Sequence, residues 1–138
     1  MGGTDHLMIY TKSLLIPANT SKLVPATTTV KMTNGKITKM MVGFPYGCSA
    51  LVHVQSFYQN LQIMPFSPEE DIAWDDYIFP FVFDFPIDSM PYEILLSGWS
   101  EDDFFDHTIS FWIEHTPATV GLLHRLFTPP SPAQVQGA

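Results

Sequence analysis

The feature that most constrains this chain is its punctuation. Twelve prolines are spread along it, and Asn-Gly, Pro-Tyr-Gly and Ser-Pro signals cut it into short β-rich runs. No stretch before residue 117 sustains a helical period, so no crossover helices separate the strands. A parallel sheet needs such crossovers, and an antiparallel arrangement does not.

The first run is "HLMIYTKSLLI", His6 to Ile16, ended by Pro17. "ATTTVKM" follows and leads to Asn34-Gly35. Both of those residues tolerate positive φ, so "TNGKITKMMVGF" predicts a hairpin on a type I′ turn. "FPYGC" breaks the sheet. "SALVHVQSFY" resumes it, with Leu51, His53, Gln55 and Phe57 on one face and Val52, Val54 and Ser56 on the other. "LQIMPF" follows Asn60. "SPEEDIAWDD" is long for a loop and predicts an excursion at one end of the fold. "YIFPFVFDF" carries Pro80 inside a strand pattern, which predicts a sheet edge or a bulge. "SMPYEILLSGWS" and "HTISFWIEHT" close the series. In the latter, Ile109, Phe111 and Ile113 alternate with Thr108, Ser110, Trp112 and Glu114, as in a half-buried antiparallel strand.

Roughly eight or nine short strands spaced about ten residues apart predict an all-β, antiparallel two-sheet β-sandwich, a jelly roll first and an immunoglobulin-like sandwich second. We assign this sandwich to residues 1–116. Residues 117–138 differ: "PATVGLLHRLF" reads as a short amphipathic segment and "TPPSPAQVQGA" as a Pro-rich tail. Val120, Leu122, Leu123, Leu126 and Phe127 form the apolar side of that extension. They are the candidate partner-binding residues, toward this chain's own sandwich or a neighbouring subunit.

The 138 residues fit one domain, which needs neither a disulfide nor a metal to fold. Hydrophobic residues make up 46% and charged residues 14%, so either the surface is mostly uncharged polar or some apolar surface meets a partner. A net charge of −8 argues against nucleic acid and against an anionic membrane surface. No apolar run reaches about 18 residues, so no transmembrane helix is expected. The start "MGGTDH" has no secretory leader pattern, and His6 departs from the myristoylation pattern. Charge is also unevenly placed. Twelve acids and no Lys or Arg lie between Glu69 and Asp106, while Lys12, Lys22, Lys31, Lys36 and Lys39 lie earlier. Acids suit solvated loops, which is the stronger reading of this pattern; such polarity also invites head-to-tail or ring contacts between copies.

Residues with chemical potential are few. Cys48 is a single cysteine among apolar neighbours and is read as a small core hydrophobe. Glu101, Asp102, Asp103 and Asp106 offer oxygens for calcium. Three of them are consecutive, however, and the alternating ligand order of a calcium loop is absent, so a solvated strand connection is the stronger reading. Trp74, within a second acidic group, and Trp99 are candidate platforms for a carbohydrate. The five histidines lack the spacing of a metal pair along one strand or helix. No nucleophile elbow, P-loop or dinucleotide motif occurs, and no cofactor is expected.

The order "GKITKMMVGFPYGCSALVHVQSF", "LQIMPFSPEEDIAWDD", "PYEILLSGWSEDDFFDHTISFWIEHTP", covering most of residues 36–117, resembles small jelly-roll virion proteins of tailed phages and related viruses. The resemblance implies a non-enzymatic capsid-decoration or structural component located in the virion. Its partners would be further copies of itself and other virion proteins such as the major capsid protein. The basic early region and the terminal arms would be attachment surfaces, with the acidic loops facing outward. It transfers no catalytic residue. The alternative from the residues is a carbohydrate- or receptor-binding sandwich.

Overall fold

The computed structural model describes residues 7–118. Eight strands follow in chain order: β1 (Met8–Ile16), β2 (Ala26–Lys31), β3 (Gly35–Phe44), β4 (Val52–Tyr58), β5 (Leu61–Met64), β6 (Tyr77–Ile87), β7 (Glu93–Ser100) and β8 (His107–Pro117). They form two antiparallel four-stranded sheets, ordered β1-β8-β3-β6 and β2-β7-β4-β5. The pairs nest: β1 with β8, β2 with β7, β3 with β6, and β4 with β5. That nesting is the winding of a jelly roll.

Strand patterning explains the layers. On β8 the buried residues His107, Ile109, Phe111, Ile113 and His115 alternate with exposed or half-buried ones, as the sequence predicts. On β4 the core face is Val52, Val54, Ser56 and Tyr58. Facing them are Ile37, Met40 and Val42 of β3 and Leu14 and Ile16 of β1. Each such buried side chain contributes about 1.5–3 kcal/mol by leaving water. Gly98 sits on the core face of β7, where an added Cβ would collide with Cδ1 of Ile16 and lie 3.1 Å from the His53 carbonyl oxygen. The two sheets approach closely there because Gly98 has no side chain.

The expected hairpin at Asn34-Gly35 is not there. β2 and β3 lie in different sheets, and neither residue has the positive φ that a type I′ turn requires. The Met32 N–H instead donates to the Tyr92 carbonyl (2.8 Å) as the chain crosses between sheets. Gly35 serves packing: a Cβ there would collide with the Thr116 carbonyl and the His115 ring. Among the described residues, the hairpin between consecutive strands is β4–β5, turning at Gln59-Asn60 with Gln59 at φ 54°.

β6 is a sheet edge, as Pro80 predicts. Pro80 and Pro86 both lie on it, and its register with β3 shifts between Ile37 and Lys39. Phe79, Phe81, Phe83 and Phe85 form a half-buried row on its inner side. The segment between β5 and β6 folds over that row: Phe66 packs on Phe83 and Phe85, and Trp74 packs edge-on against Phe79. Ile72 makes an isolated bridge to Val54 beyond the end of β5. The long excursion therefore closes the open side of the sandwich. β8 runs through Pro117, which is buried and pairs with Gly35. Val120, Leu122, Leu123, Leu126 and Phe127 lie outside the described residues.

Candidate functional site

The connections after β1, β3, β5 and β7 meet at one end of the sandwich and are fastened to one another. The Asn19 N–H donates to the Asp102 carbonyl (2.7 Å), Ser100 to Thr20 (3.0 Å), Glu101 to Leu51 (2.9 Å) and Ala50 to Trp74 (3.2 Å). The Gly47 N–H donates to Oδ1 of Asp75 (2.8 Å). A groove of about 770 Å³ opens here, lined by Thr20, Lys22, His53, Asp71, Trp99 and Glu101 among others.

His53 is its centre. Register places it opposite Trp99 across β4 and β7, and the two rings stack at 5.3 Å and 6°. Lys22 holds its ammonium 5.2 Å from the Trp99 ring centroid. Nδ1 of His53 lies 2.6 Å from Oδ1 of Asp71, and Nε2 lies 2.5 Å from Oε1 of Glu101. Ionised carboxylates only accept hydrogen bonds. The doubly protonated ring therefore donates to both, whereas either neutral tautomer donates to one. Asp71 comes from the β5–β6 connection and Glu101 from the β7–β8 connection, so one imidazole ties two loops. A histidine oriented by a carboxylate can act as a general base. Here Glu101 occupies the position on Nε2 that a nucleophile would need. The nearby hydroxyls have other tasks: Ser100 accepts from the Asp102 N–H and Ser21 from the Leu23 N–H.

The acidic stretch 101–106 is dispersed rather than convergent. Asp102 is buried, accepts from Nε2 of His107 (2.7 Å) and caps the Phe104 and Phe105 N–H groups (2.9 and 3.3 Å). The His107 hydrogen bond, then the Phe104 N–H, hold its carboxyl below the usual range, with burial opposing them. Asp106 accepts from the Ala18 N–H (2.8 Å). Glu101 engages His53, and Asp103 is exposed on the groove wall. Among the described residues, no group of three or more His, Cys, Asp or Glu is arranged to hold a metal ion.

The two candidate tryptophans are not brought together. Trp99 is buried, with its ring covered by His53 and Lys22. Trp74 is exposed, packs against Phe79 and does not line the groove. Cys48 is fully buried, and burial, helped by Asp75 and Asp102, pushes its thiol up to about 11, so it remains a thiol. A second depression of about 550 Å³ lies on the outer face of the β1-β8-β3-β6 sheet, between Gly43, Ile78 and Trp112.

The sequence reading missed His53 as a hub, along with Asp71 and Lys22. Spacing along the chain tests His53 only against its near neighbours. Its partners lie 18 and 48 residues away, on connections that meet only after the sheets pack. No local spacing announces such a group.

No family model matches the chain, and no curated protein matches it in sequence. Among solved structures, a chain from tomato aspermy virus is similar over 89% of this chain and 82% of its own, with 15% identity and a TM-score of 0.47. A chain from the Gx strain of infectious bursal disease virus is similar over 81% of this chain and 33% of its own, with 11% identity and a TM-score of 0.38. Likeness at this level carries no functional weight. The jelly-roll assignment rests on this chain's own strand order.

Proposed function

We propose that this chain is a non-enzymatic structural protein of a virion, of the phage decoration or capsid-associated kind, that works as a symmetric oligomer. One observation carries the reading: large apolar side chains stand in solvent on loops that are firmly held. Leu23 is 91% exposed, Tyr46 83% and Phe104 84%, on three different connections of the fastened end. Phe104 is held out by the Asp102 cap rather than left on a loose tip. Leaving such side chains in water forgoes about 1.5–3 kcal/mol each, a loss that partner contact recovers. His53, Asp71 and Glu101 of the groove, meanwhile, are committed to tying loops. The sequence resemblance to jelly-roll virion proteins points the same way, with the major capsid protein as the partner beyond further copies of this chain.

Density-gradient fractionation of particles tests the proposal. The chain should co-sediment with the major capsid protein at a fixed ratio. Recovery only as free protein removes the virion role.

Binding of a glycan or receptor is the second reading, favoured by the exposed ring of Trp74 among Asp75, Asp76 and Tyr77. A glycan array with wild type and Trp74→Ala separates the two. Trp74-dependent binding supports this reading, and signal at background removes its glycan form.

A further inference from the structure

Strand order gives the sandwich two flanks, one at β1 and β2 and the other at β5 and β6. The sequence's charge asymmetry maps onto them in part, since Glu93 lies opposite Lys31 on β7 and Glu101 and Asp103 share a groove with Lys22. Residues 7–68 contain no acidic residue, and the exposed Lys12, Lys22 and Lys31 lie on β1, on the β1–β2 connection and on β2. On the opposite flank, Glu69 and Glu70 sit beside β5. They are held there by Gln62, whose Oε1 accepts from the Glu69 N–H (3.2 Å) and whose Nε2 donates to the Glu70 carbonyl (2.8 Å). Asp76 continues the acidic flank next to β6, while Asp84 on β6 is paired with Lys36.

Among the described residues, Lys36 is the one lysine with a carboxylate in salt-bridge reach, 3.1 Å from Asp84. Lys12, Lys22 and Lys31 are thus uncommitted to an ion pair among these residues, as are Glu69 and Glu70. Both flanks also expose apolar side chains: Met8, Leu23 and Val24 on the basic one, and Phe66, Tyr77 and Val82 on the acidic one, with Val82 81% exposed. Backbone pairing across the acidic flank is blunted by Pro80, Pro86 and the register shift in β6. A partner there meets side chains, not a free strand ladder.

We propose that the β1/β2 flank of one copy docks against the β5/β6 flank of a second. Charge complementarity selects the occupant, since one flank offers Lys12, Lys22 and Lys31 and the other Glu69 and Glu70, each outside any ion pair among the described residues and beside an apolar strip. The contact is heterologous, so it repeats from copy to copy and closes into a ring if the rotation permits. This inference rests on the assembling role proposed above and names the surfaces that serve it.

Charge reversal on each flank tests it, with mass measured by analytical ultracentrifugation and folding by thermal melts. Lys12→Glu/Lys31→Glu and Glu69→Lys/Glu70→Lys should each associate about tenfold or more weakly than wild type. An equimolar mixture of the two should regain assembly, because each variant then faces an opposite charge on both sides. Recovery on mixing also shows that the separate losses were not misfolding. Assembly of both variants at wild-type strength overturns the flank contact while leaving the assembling role intact. Folded variants that form no mixed pair on mixing likewise overturn it. A wild type that stays monomeric removes the assembling role and this contact with it.

Discussion

Asp102 shows how one carboxylate organises a loop. It joins His107, Phe104 and Phe105, and its carbonyl receives the Asn19 N–H. Because its folded pKa is depressed, its contribution to stability is complete above the ordinary carboxylate value near about 3.9. That contribution is lost as pH falls through the depressed value. Melts of wild type and Asp102→Asn between pH 2 and 5 should show this loss in the former and a flatter response in the latter; parallel curves would contradict it. His115 acts in a higher window. Its Nε2–H donates to the Thr33 carbonyl (2.9 Å), and its buried Nδ1 has no partner among the described residues. Burial lowers its pKa, with the Thr33 hydrogen bond opposing. The folded state excludes the proton that the unfolded chain accepts near about 6.5. Stability is therefore complete above that value and falls as pH drops through the lowered one. His115→Gln can donate to Thr33 without titrating and should flatten the slope below pH 7, as read by urea denaturation. An unchanged slope would assign it elsewhere.

Gly98 and Gln62 carry the element scale. Gly98→Ala should cost about 1–3 kcal/mol in chemical denaturation, because its Cβ has no room against Ile16. Adding Ile16→Val, which removes the colliding methyl, should return part of that cost. Gln62→Ala should cost about 1–2 kcal/mol and raise hydrogen exchange around Glu69, since its amide holds the Pro65, Ser67 and Glu70 carbonyls. Much of the element pattern was legible in the chain. The alternation on β8 and the proline in β6 gave their placement directly, because side-chain period and a missing N–H are local properties. Asn34-Gly35 misled because a pair that permits a turn does not compel one. There a sheet-to-sheet crossing and the close approach of β8 decided the backbone. The His53 cluster was illegible for the opposite reason: it is made by strand register and loop packing, not by neighbours in the chain.

At the scale of the whole molecule, the sandwich is a folded unit with surface left over. Both four-stranded sheets are built from strands between Met8 and Pro117. We therefore expect deletion of residues 119–138 to leave the thermal melt of the sandwich unchanged while lowering the assembled fraction in size-exclusion chromatography. A large fall in melting temperature would show that this segment serves the sandwich itself. In the proposed role, apolar and oppositely charged surfaces meet other copies. Multi-angle light scattering of the full chain over a concentration series tests it most directly. The expected result is a discrete mass of two or more whole copies of the 15.6 kDa chain, and a constant mass of 15.6 kDa at every concentration would contradict it.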